Sequence, residues 1–447
     1  MHLKQNIKEN NFFNRMFHLS QNKTNFKREI LAGFTIFFSM AYILFVNPTI
    51  LGKAGMDKGA VFTATALSTI IACLIMAFFA NYPIASAPAL GDNAFFTYSV
   101  VLGMGIPWQK AMAGILVASL IFVIISIFKI RETIINAIPN DLKTAMGAGI
   151  GIFIAFVGLQ DGGLIEKSKS SLVQIGSLTN AGTWLTIFGL VFTAFLMAKN
   201  ISGSIFIGMI ATVIVGIISG LIKLPSHIIS LAPSLSPTFN VSLSHLFQLN
   251  SSQMWAVILI FLIVAFFDTT GSLLGLAQQA GFIKNNKMPR MGRALMSDSF
   301  SMLAGSLMGT TPTSAYVESS TGIAIGGRTG LTTLVVAILF GFSLIFSPLI
   351  SVFTSQVTAP VLIIIGVLMA KSLAKINWNR FEIALPCFLI IIGMPLTYNI
   401  SYGIGFGFLM YPITMLAAGK RKEINPMMYI LFFVFIILFY VLNILHR

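Results

Sequence analysis

Four carboxyl side chains lie inside long apolar stretches of the sequence, where acidic residues are rare. They are Asp92, Asp268, Asp298 and Glu318, whereas the remaining nine of the 13 acidic residues fall in tails, in loops or at the ends of apolar stretches. An ionised carboxylate near the centre of a bilayer costs at least about 2.5 kcal/mol, so such residues face the protein interior and usually serve function. Burial also makes proton uptake by a carboxylate plausible at neutral pH. These acids are therefore the first candidates for a ligand-binding or proton-coupling site.

The sequence around Glu318 and Asp268 favours a functional interpretation for both. Glu318 follows Pro312 by six residues, where a broken helix is expected to begin, and free backbone N–H groups at such a point can bind a polar ligand. Its carboxylate could pair with the ring N–H groups of a planar heterocycle. Asp268 has no basic residue inside any apolar segment to neutralise it, which leaves a proton, a cation or a substrate N–H as its partner. Asn93 offers both a donor and an acceptor to the edge of a ligand.

Plainer structural roles compete with function at the other positions. Asp298 is expected to cap or bridge neighbouring backbone, while Asp92 fits a supporting role in the site and a position facing an aqueous vestibule equally well. Phe95, Phe96 and Tyr316 could stack on a ligand ring. Since the chain contains 40 Phe, packing is the default expectation for these aromatic rings.

Composition places the protein in a membrane. Of the 447 residues, 56% are apolar and 9% are charged, against roughly a quarter charged in an ordinary soluble domain. The net charge of +15 comes from Lys and Arg in short connecting loops, which indicates membrane orientation rather than a nucleic-acid partner. The sequence therefore predicts a multi-pass protein with the lipid bilayer as its main solvent.

Fourteen segments are apolar enough to cross a bilayer, in two sets of seven. They lie at 29–50, 60–80, 84–101, 110–128, 137–159, 183–198 and 202–222, and at 253–276, 293–309, 314–327, 330–350, 358–372, 381–398 and 401–418. A further apolar run at 427–445 fits either a fifteenth span or a peripheral helix. With the N-terminus inside the cell, 21 of the 28 Lys and Arg fall on the cytoplasmic side and six outside, with Arg447 unassigned. This asymmetry supports the span count and a cytoplasmic N-terminus in the plasma membrane.

Segments 3 and 10 differ from ordinary spanning helices because they are short and interrupted by Pro and Gly. Each is the third segment in its set, and because seven is odd the second set must run through the membrane upside down. Paired interrupted segments in inverted halves indicate a transporter with its site near the midplane. The predicted division is a cytoplasmic N-terminal tail (1–28), a first repeat (29–222), an extracellular connecting loop (223–252), a second repeat (253–418), and a basic loop with a C-terminal apolar helix (419–447).

No pattern in the sequence predicts an enzyme, a cofactor or a metal site. Cys73 and Cys387 both lie inside apolar runs, so neither a disulfide framework nor a metal site is expected. The glycine runs at 147–151 and 403–407 lack the P-loop ending and indicate close helix packing. A passive channel would need a continuous polar stripe along several helices, whereas polarity here is concentrated at two chain breaks. An ion gradient or downhill flow must then supply the energy.

Five stretches, in order along the chain, resemble the AzgA-like purine permeases, a branch of the nucleobase:cation symporters that includes bacterial hypoxanthine/guanine permeases. They are REILAGFT from Arg28, NYPIA from Asn81, GDNAFFTY from Gly91, FFDTTG from Phe266 and TPTSAYVESSTGIAIGGRTGL from Thr311. The resemblance implies an all-α fold of fourteen spans in a 7+7 inverted repeat, shared with uracil and anion transporters. Segments 1–4 and 8–11 would form a substrate-carrying core and segments 5–7 and 12–14 a gate.

The resemblance also implies the residues of the site. The family's binding acids fall on Asp268 and Glu318, its segment 3 contact falls on Asn93, and its backbone contacts lie near Tyr316 and Val317. The broader class often has Glu-Asn or Gln-Asn where this chain has Glu318-Ser319, which favours purines over uracil or xanthine. Further candidates in supporting positions are Asp92, Asp298 and Thr269.

The expected activity is import of hypoxanthine, guanine or adenine by symport with a proton, which Asp268 or Glu318 would carry. A proton is favoured over sodium as the coupling ion, and a homodimer is left open. The main alternative is transport of uracil, xanthine or an anion on the same fold, although a carboxylate at Glu318 would repel an anion.

Overall fold

Helices make up most of the structure, as expected where no water is available to the backbone N–H and C=O groups. The structure is a computed structural model that describes residues 12–128, 138–168, 172–249, 252–282 and 288–445. At helix positions 252, 256, 266–271, 274, 438 and 441–445 it describes the backbone alone.

The elements follow one another along the chain with short connections. The helices are α1 (Phe12–Phe17), α2 (Phe26–Met40), α3 (Ile43–Lys53), α4 (Lys58–Ile75), α5 (Leu90–Ala94), α6 (Trp108–Ile127), α7 (Asn140–Asp161), α8 (Ala181–Ala198), α9 (Ser204–Ile218), α10 (Val241–Ser244), α11 (Ser252–Gln279), α12 (Met291–Met308), α13 (Ser319–Ile325), α14 (Gly330–Ser343), α15 (Ser355–Ala370), α16 (Phe381–Thr397), α17 (Ile400–Ala417) and α18 (Pro426–Leu445). The strands are β1 (Ser86–Pro88), β2 (Ile165–Ser168), β3 (Leu172–Ile175) and β4 (Thr313–Ala315). π-Helical turns extend α4 over Met76–Ala80 and α5 over Phe95–Gly103, and 3₁₀ turns follow α14 and α15.

Many of these helices have the length and composition of membrane spans. Within the described residues, eight helices are long and apolar enough to cross a bilayer, at 26–53, 58–80, 108–127, 140–161, 181–198, 330–352, 355–375 and 400–417. Shorter apolar helices lie at 204–218, 253–265, 381–397 and 426–437. The prediction of a multi-pass membrane protein is confirmed.

The helices pack in two groups. In the first group, α14 lies against α2 and α4, and α12 lies against α4 and α6. In the second, α15 and α16 both pack along α7, and α17 packs along α16. Glycines allow the closest of these approaches. A Cβ atom on Gly151 of α7 would lie 2.4 Å from the Met369 Cβ, which agrees with the close helix packing predicted for the run at 147–151.

Two pairs of short strands accompany the helices, and one of them includes the strand that the resemblance implies before segment 10. β2 and β3 form an antiparallel hairpin with an exposed surface. β1 and β4 pair antiparallel in the buried interior, with Ser86 opposite Ala315 and Pro88 opposite Thr313. The chain is unwound at both places, and an unpaired backbone group inside a membrane costs several kcal/mol. Each unwound stretch therefore supplies the hydrogen bonds that the other one needs.

Glu29 is buried, although the sequence placed it among acids at the ends of apolar segments. Its side chain is completely inaccessible to solvent. The carboxylate accepts hydrogen bonds from the backbone N–H groups of Arg328, Thr329 and Thr332 and from the hydroxyls of Thr329 and Thr332, at 2.6–3.3 Å. These donors lie at the N-terminus of α14, where the helix dipole also favours a negative charge. The hydrogen bonds of Glu29 therefore connect the first turn of α2 to the start of α14.

The C-terminal helix α18 runs antiparallel along α17. The Phe435 ring lies 5.2 Å from the Phe408 ring, and the Phe439 ring lies 5.5 Å from the Phe406 ring and 5.6 Å from the Tyr402 ring. A helix of 20 residues is about 30 Å long, close to the thickness of the hydrocarbon core. Helix α18 therefore packs against α17 and does not stand apart from the other helices.

Replacing the Glu29 carboxylate tests its part in holding the fold together. We expect Glu29→Gln to lower the free energy of unfolding by about 2 kcal/mol, because an amide nitrogen would face N–H and O–H donors and leave some of them unpaired. Thermal unfolding of the detergent-solubilised protein measures the change. Glu166→Gln, in the exposed hairpin, is the matched control and should leave the melting temperature unchanged. A melting temperature for Glu29→Gln equal to that of the control would contradict this role.

Candidate functional site

The ribbon of β1 and β4 forms the centre of the candidate site. Beyond the three paired positions, the Ala89 N–H donates to the Pro312 carbonyl and the Tyr316 N–H donates to the Ala85 carbonyl, each at 2.9 Å. The Tyr316 hydroxyl donates to the Pro88 carbonyl at 2.8 Å. Tyr316 is therefore held by its backbone and by its side chain, and it forms part of the ribbon rather than a free stacking surface.

A helix starts immediately after each strand, and the two helices run in opposite directions because the strands are antiparallel. Helix α5 with its π-helical extension covers residues 90–103, and α13 covers residues 319–325. The sequence prediction that segments 3 and 10 are interrupted is confirmed. The arrangement brings the first turns of both helices to the two ends of one buried ribbon.

Asn93 lies at one end of the ribbon and is completely buried. Its Oδ1 accepts a short hydrogen bond from the Thr311 hydroxyl, which orients the amide. Its Nδ2 has no hydrogen-bond partner among the described residues. A buried donor without a partner costs about 1–3 kcal/mol, so a ligand that supplies an acceptor here would recover that energy.

Glu318 lies at the other end of the ribbon, immediately before α13. Its side chain is half-buried, and the Tyr42 hydroxyl donates to its Oε1 at 2.5 Å. The neighbouring Val317 side chain is 60% exposed, so this end of the ribbon is open to the outside of the packed protein. A carboxylate in this position can accept hydrogen bonds from a ligand that reaches it.

Ser319, in the first turn of α13, forms a hydrogen bond with the residue that precedes β1. Its hydroxyl accepts a hydrogen bond from the Ala85 N–H at 3.0 Å, and the residue is completely buried. The side chain therefore ties the first turn of α13 to the chain that leads into β1. In this structure the Ser319 hydroxyl therefore positions the backbone at Ala85 and does not line an open surface.

The remaining predicted residues are placed less directly. Asp268 and Thr269 lie in helix α11, and their side chains are outside the part of the structure that is described. Asp92 and Asp298, in α5 and α12, are completely buried, so Asp92 does not face an aqueous vestibule in this structure. Phe95 is buried and packs edge-to-face on Phe261 at 4.7 Å, in agreement with the packing expected for it.

The structure adds polar residues that the sequence reading did not single out. Asn47 of α3 donates through Nδ2 to the hydroxyls of Thr65 and Thr310, at 2.7 and 2.9 Å. Thr310 precedes Thr311, which in turn donates to Asn93. Asn47 therefore anchors the stretch that orients the Asn93 amide. Tyr42, Asn47 and the two threonines lie in apolar or loop sequence with no distinctive spacing, so no local signal could have identified them.

The site offers both a hydrogen-bond donor and an acceptor to a ligand. It presents an amide donor at one end of the ribbon and a carboxylate acceptor at the other. Among the described residues, no cluster of three or more His, Cys, Asp or Glu side chains could hold a metal ion.

Comparison with known proteins places the chain among membrane permeases. A family described as "Permease family" matches residues 27–406. The guanine/hypoxanthine permease PbuG of Bacillus subtilis is 52% identical over 432 residues, which cover 95% of this chain and 98% of that protein. The guanine/hypoxanthine permease PbuO of the same organism is 44% identical over 95% of this chain and 99% of its own length. The adenine permease AdeP of Escherichia coli is 38% identical over 95% of each chain.

The fold is also similar to that of solved anion transporters. The transmembrane domain of a cyanobacterial bicarbonate transporter, BicA, matches with a TM-score of 0.59 and 15% sequence identity, over 88% of this chain and 97% of that domain. At this level of identity the likeness concerns the fold alone.

Ser319→Ala tests whether the serine hydroxyl holds the ribbon together. We expect this variant to lose about 1–2 kcal/mol of stability, because the buried Ala85 N–H would be left without its acceptor. The melting temperature of the solubilised protein measures the loss. Ser320→Ala is the matched control on the adjacent, half-buried serine. An equal effect of the two substitutions would contradict a specific contribution from Ser319.

Proposed function

The chain belongs to this permease family, and we propose that it is a secondary transporter that imports purine nucleobases, in particular guanine and hypoxanthine. The proposal rests on its similarity to guanine/hypoxanthine permeases over nearly the whole length of each chain. Adenine is a further candidate, because an adenine permease is also similar over 95% of its length.

The observation that carries the proposal is the pairing of a buried amide donor with a carboxylate across one ribbon. Oxopurines carry ring N–H groups next to acceptors, a carbonyl oxygen and ring nitrogens. The Glu318 carboxylate would accept from the N–H groups, and the Asn93 Nδ2, which has no partner among the described residues, would donate to a purine acceptor. Ser319, Tyr316 and Val317 would hold the ribbon that presents them.

We propose that the chain forms two inverted repeats of seven spans, 29–222 and 253–418. In support, β1 and β4 occupy corresponding places in the two halves and pair antiparallel. The two packing groups of helices also follow the expected division into a core (segments 1–4 and 8–11) and a gate (segments 5–7 and 12–14). The site then lies in the core, at the crossing of segments 3 and 10.

Import would be coupled to protons. Asp268 or Glu318 takes a proton from outside, the purine binds between segments 3 and 10, and both leave on the cytoplasmic side after the core has moved against the gate. The absence of any basic residue from the apolar segment around Asp268 supports a proton as its partner. Asp92, Asp298 and Thr269 would support the site rather than bind substrate.

In the proposed orientation, the two groups of helices meet on the extracellular side through a small polar and aromatic cluster. Lys53, at the end of α3, forms an ion pair with Asp161, at the end of α7. The Lys53 ammonium also lies 3.3 Å from the Tyr98 hydroxyl, and the Tyr98 ring packs edge-to-face on Tyr398 of the gate at 5.7 Å. We propose that these contacts close the outer side when the site faces inward.

Uptake of radiolabelled bases into cells that lack their own purine permeases tests the function. We expect saturable uptake of guanine and hypoxanthine that collapses with a protonophore, and we expect Asp268→Asn to abolish it without affecting membrane insertion. Glu166→Gln is the control for expression and should transport normally. Normal uptake by Asp268→Asn would contradict its role in coupling, and uptake of uracil or of no base would overturn the substrate assignment.

The outer contact predicts a shift between conformations when it is broken. We expect Lys53→Gln or Asp161→Asn to increase external labelling of a Val317→Cys reporter by about two- to fivefold, because a partly exposed ion pair contributes up to about 1 kcal/mol. A membrane-impermeant thiol reagent measures the rate, and both native cysteines are buried. The control is Lys58→Gln, an exposed lysine nearby. The charge swap Lys53→Asp with Asp161→Lys should restore slow labelling, and equal rates in all variants would contradict the proposal that this ion pair closes the outer side.

A further inference from the structure

Tyr42 lies outside the ribbon and contacts the predicted binding carboxylate. It lies in the short turn between α2 and α3, and its side chain is 1% exposed. Its hydroxyl donates to Glu318 Oε1 at 2.5 Å across 276 positions of sequence. A distance of about 2.5–2.7 Å is typical of a charge-assisted O–H···O⁻ bond, which is roughly twice as strong as a neutral one.

Segment 1 contacts the start of α13 at a second point near Tyr42. Ser39, one turn earlier in α2, shares a hydrogen bond of 3.2 Å with the Thr321 hydroxyl in the first turn of α13. The Thr321 hydroxyl in turn donates to the Glu318 carbonyl at 2.7 Å. Segment 1 therefore contacts both the backbone and the side chain at the start of α13. Since a carboxylate has about four acceptor positions, the bond from Tyr42 still allows the same group to bind a ligand.

We propose that Tyr42 is a positioning residue that fixes the orientation of the Glu318 carboxylate for recognition of the purine N–H groups. This inference rests on the proposed function. A glutamate side chain at the open end of the ribbon has three rotatable bonds, and ordering such a side chain upon binding opposes affinity. The hydrogen bond from the Tyr42 hydroxyl orders the Glu318 side chain before the purine binds. Segment 1 thus contributes to substrate selection although Tyr42 itself need not touch the purine.

A double-mutant cycle separates this role from simple packing, because Tyr42→Phe keeps the ring and removes only the hydroxyl. The measurement is binding of radiolabelled hypoxanthine to the purified full-length protein in detergent, together with KM and maximal rate of uptake in cells. We expect Tyr42→Phe to weaken binding by about tenfold, or about 1.4 kcal/mol, and to act on KM rather than on the maximal rate. Tyr411→Phe, on a buried tyrosine in α17, is the matched control and should bind normally.

The decisive comparison is made in the Glu318→Gln background. There, Tyr42→Phe should weaken binding by less than about twofold, because the charged acceptor that the phenol orients is already gone. Additive losses, or normal binding by Tyr42→Phe alone, would overturn the role of Tyr42. If wild-type protein bound and transported no purine at all, the proposed function would fail together with it.

A further variant covers the case in which Tyr42→Phe does not fold. Glu318→Asp keeps the charge but draws the carboxylate back from the phenol by one methylene group. We expect it to lose about tenfold in hypoxanthine binding and to discriminate less well between hypoxanthine and 1-methylhypoxanthine, which lacks the N1–H group. Unchanged affinity and discrimination in Glu318→Asp would overturn the proposal without any change at Tyr42.

Discussion

The constraint on which the rest of the structure depends is that two unwound stretches of backbone must find hydrogen bonds inside an apolar interior. β1 and β4 meet this constraint by pairing with each other, and contacts from Ala89, Tyr316 and Ser319 extend the pairing beyond the three opposed positions. Neither stretch could remain extended alone, because an unpaired amide costs several kcal/mol in lipid. Each half of the chain thus needs the strand of the other half. The ribbon that they form places the start of one helix at each of its two ends.

Polar side chains around the ribbon form further hydrogen bonds, and these position the residues of the candidate site. Thr311 orients the Asn93 amide, Asn47 holds the stretch before β4, and Tyr42 holds Glu318. At the far end of α13, the buried Glu29 binds the start of α14 through five donors. The short helix that follows Glu318 is therefore anchored at both ends, so the carboxylate is presented from a rigid support although the helix itself has seven residues.

The candidate site lies in one of the two groups of helices and also contacts the other group. The ribbon, Asn93 and Glu318 belong to the helix group that contains α2–α6 and α11–α14, whereas α7 and α15–α17 form the facing group. The two groups meet near helix ends through Lys53 with Asp161 and Tyr98 with Tyr398. They also meet through the packing of α5 on α7 and through the Ile400 N–H, which donates to the Ser99 hydroxyl at 3.1 Å. In the proposed mechanism, movement of the core against the gate would exchange these contacts.

The sequence by itself determined the membrane class and the interruption of segments 3 and 10, because hydropathy, proline and glycine act over a few neighbouring residues. It also predicted Asn93 and Glu318 as residues of the site. It did not determine that the two interruptions pair as strands, that Tyr42 meets Glu318, or that Glu29 is buried. Hydropathy marks a charged residue as the end of a span, which is where Glu29 lies, but it does not show that the residue is buried. These contacts join residues more than 200 positions apart. Only the packing of the helices selects such partners, since many buried tyrosines and threonines look alike in their local sequence.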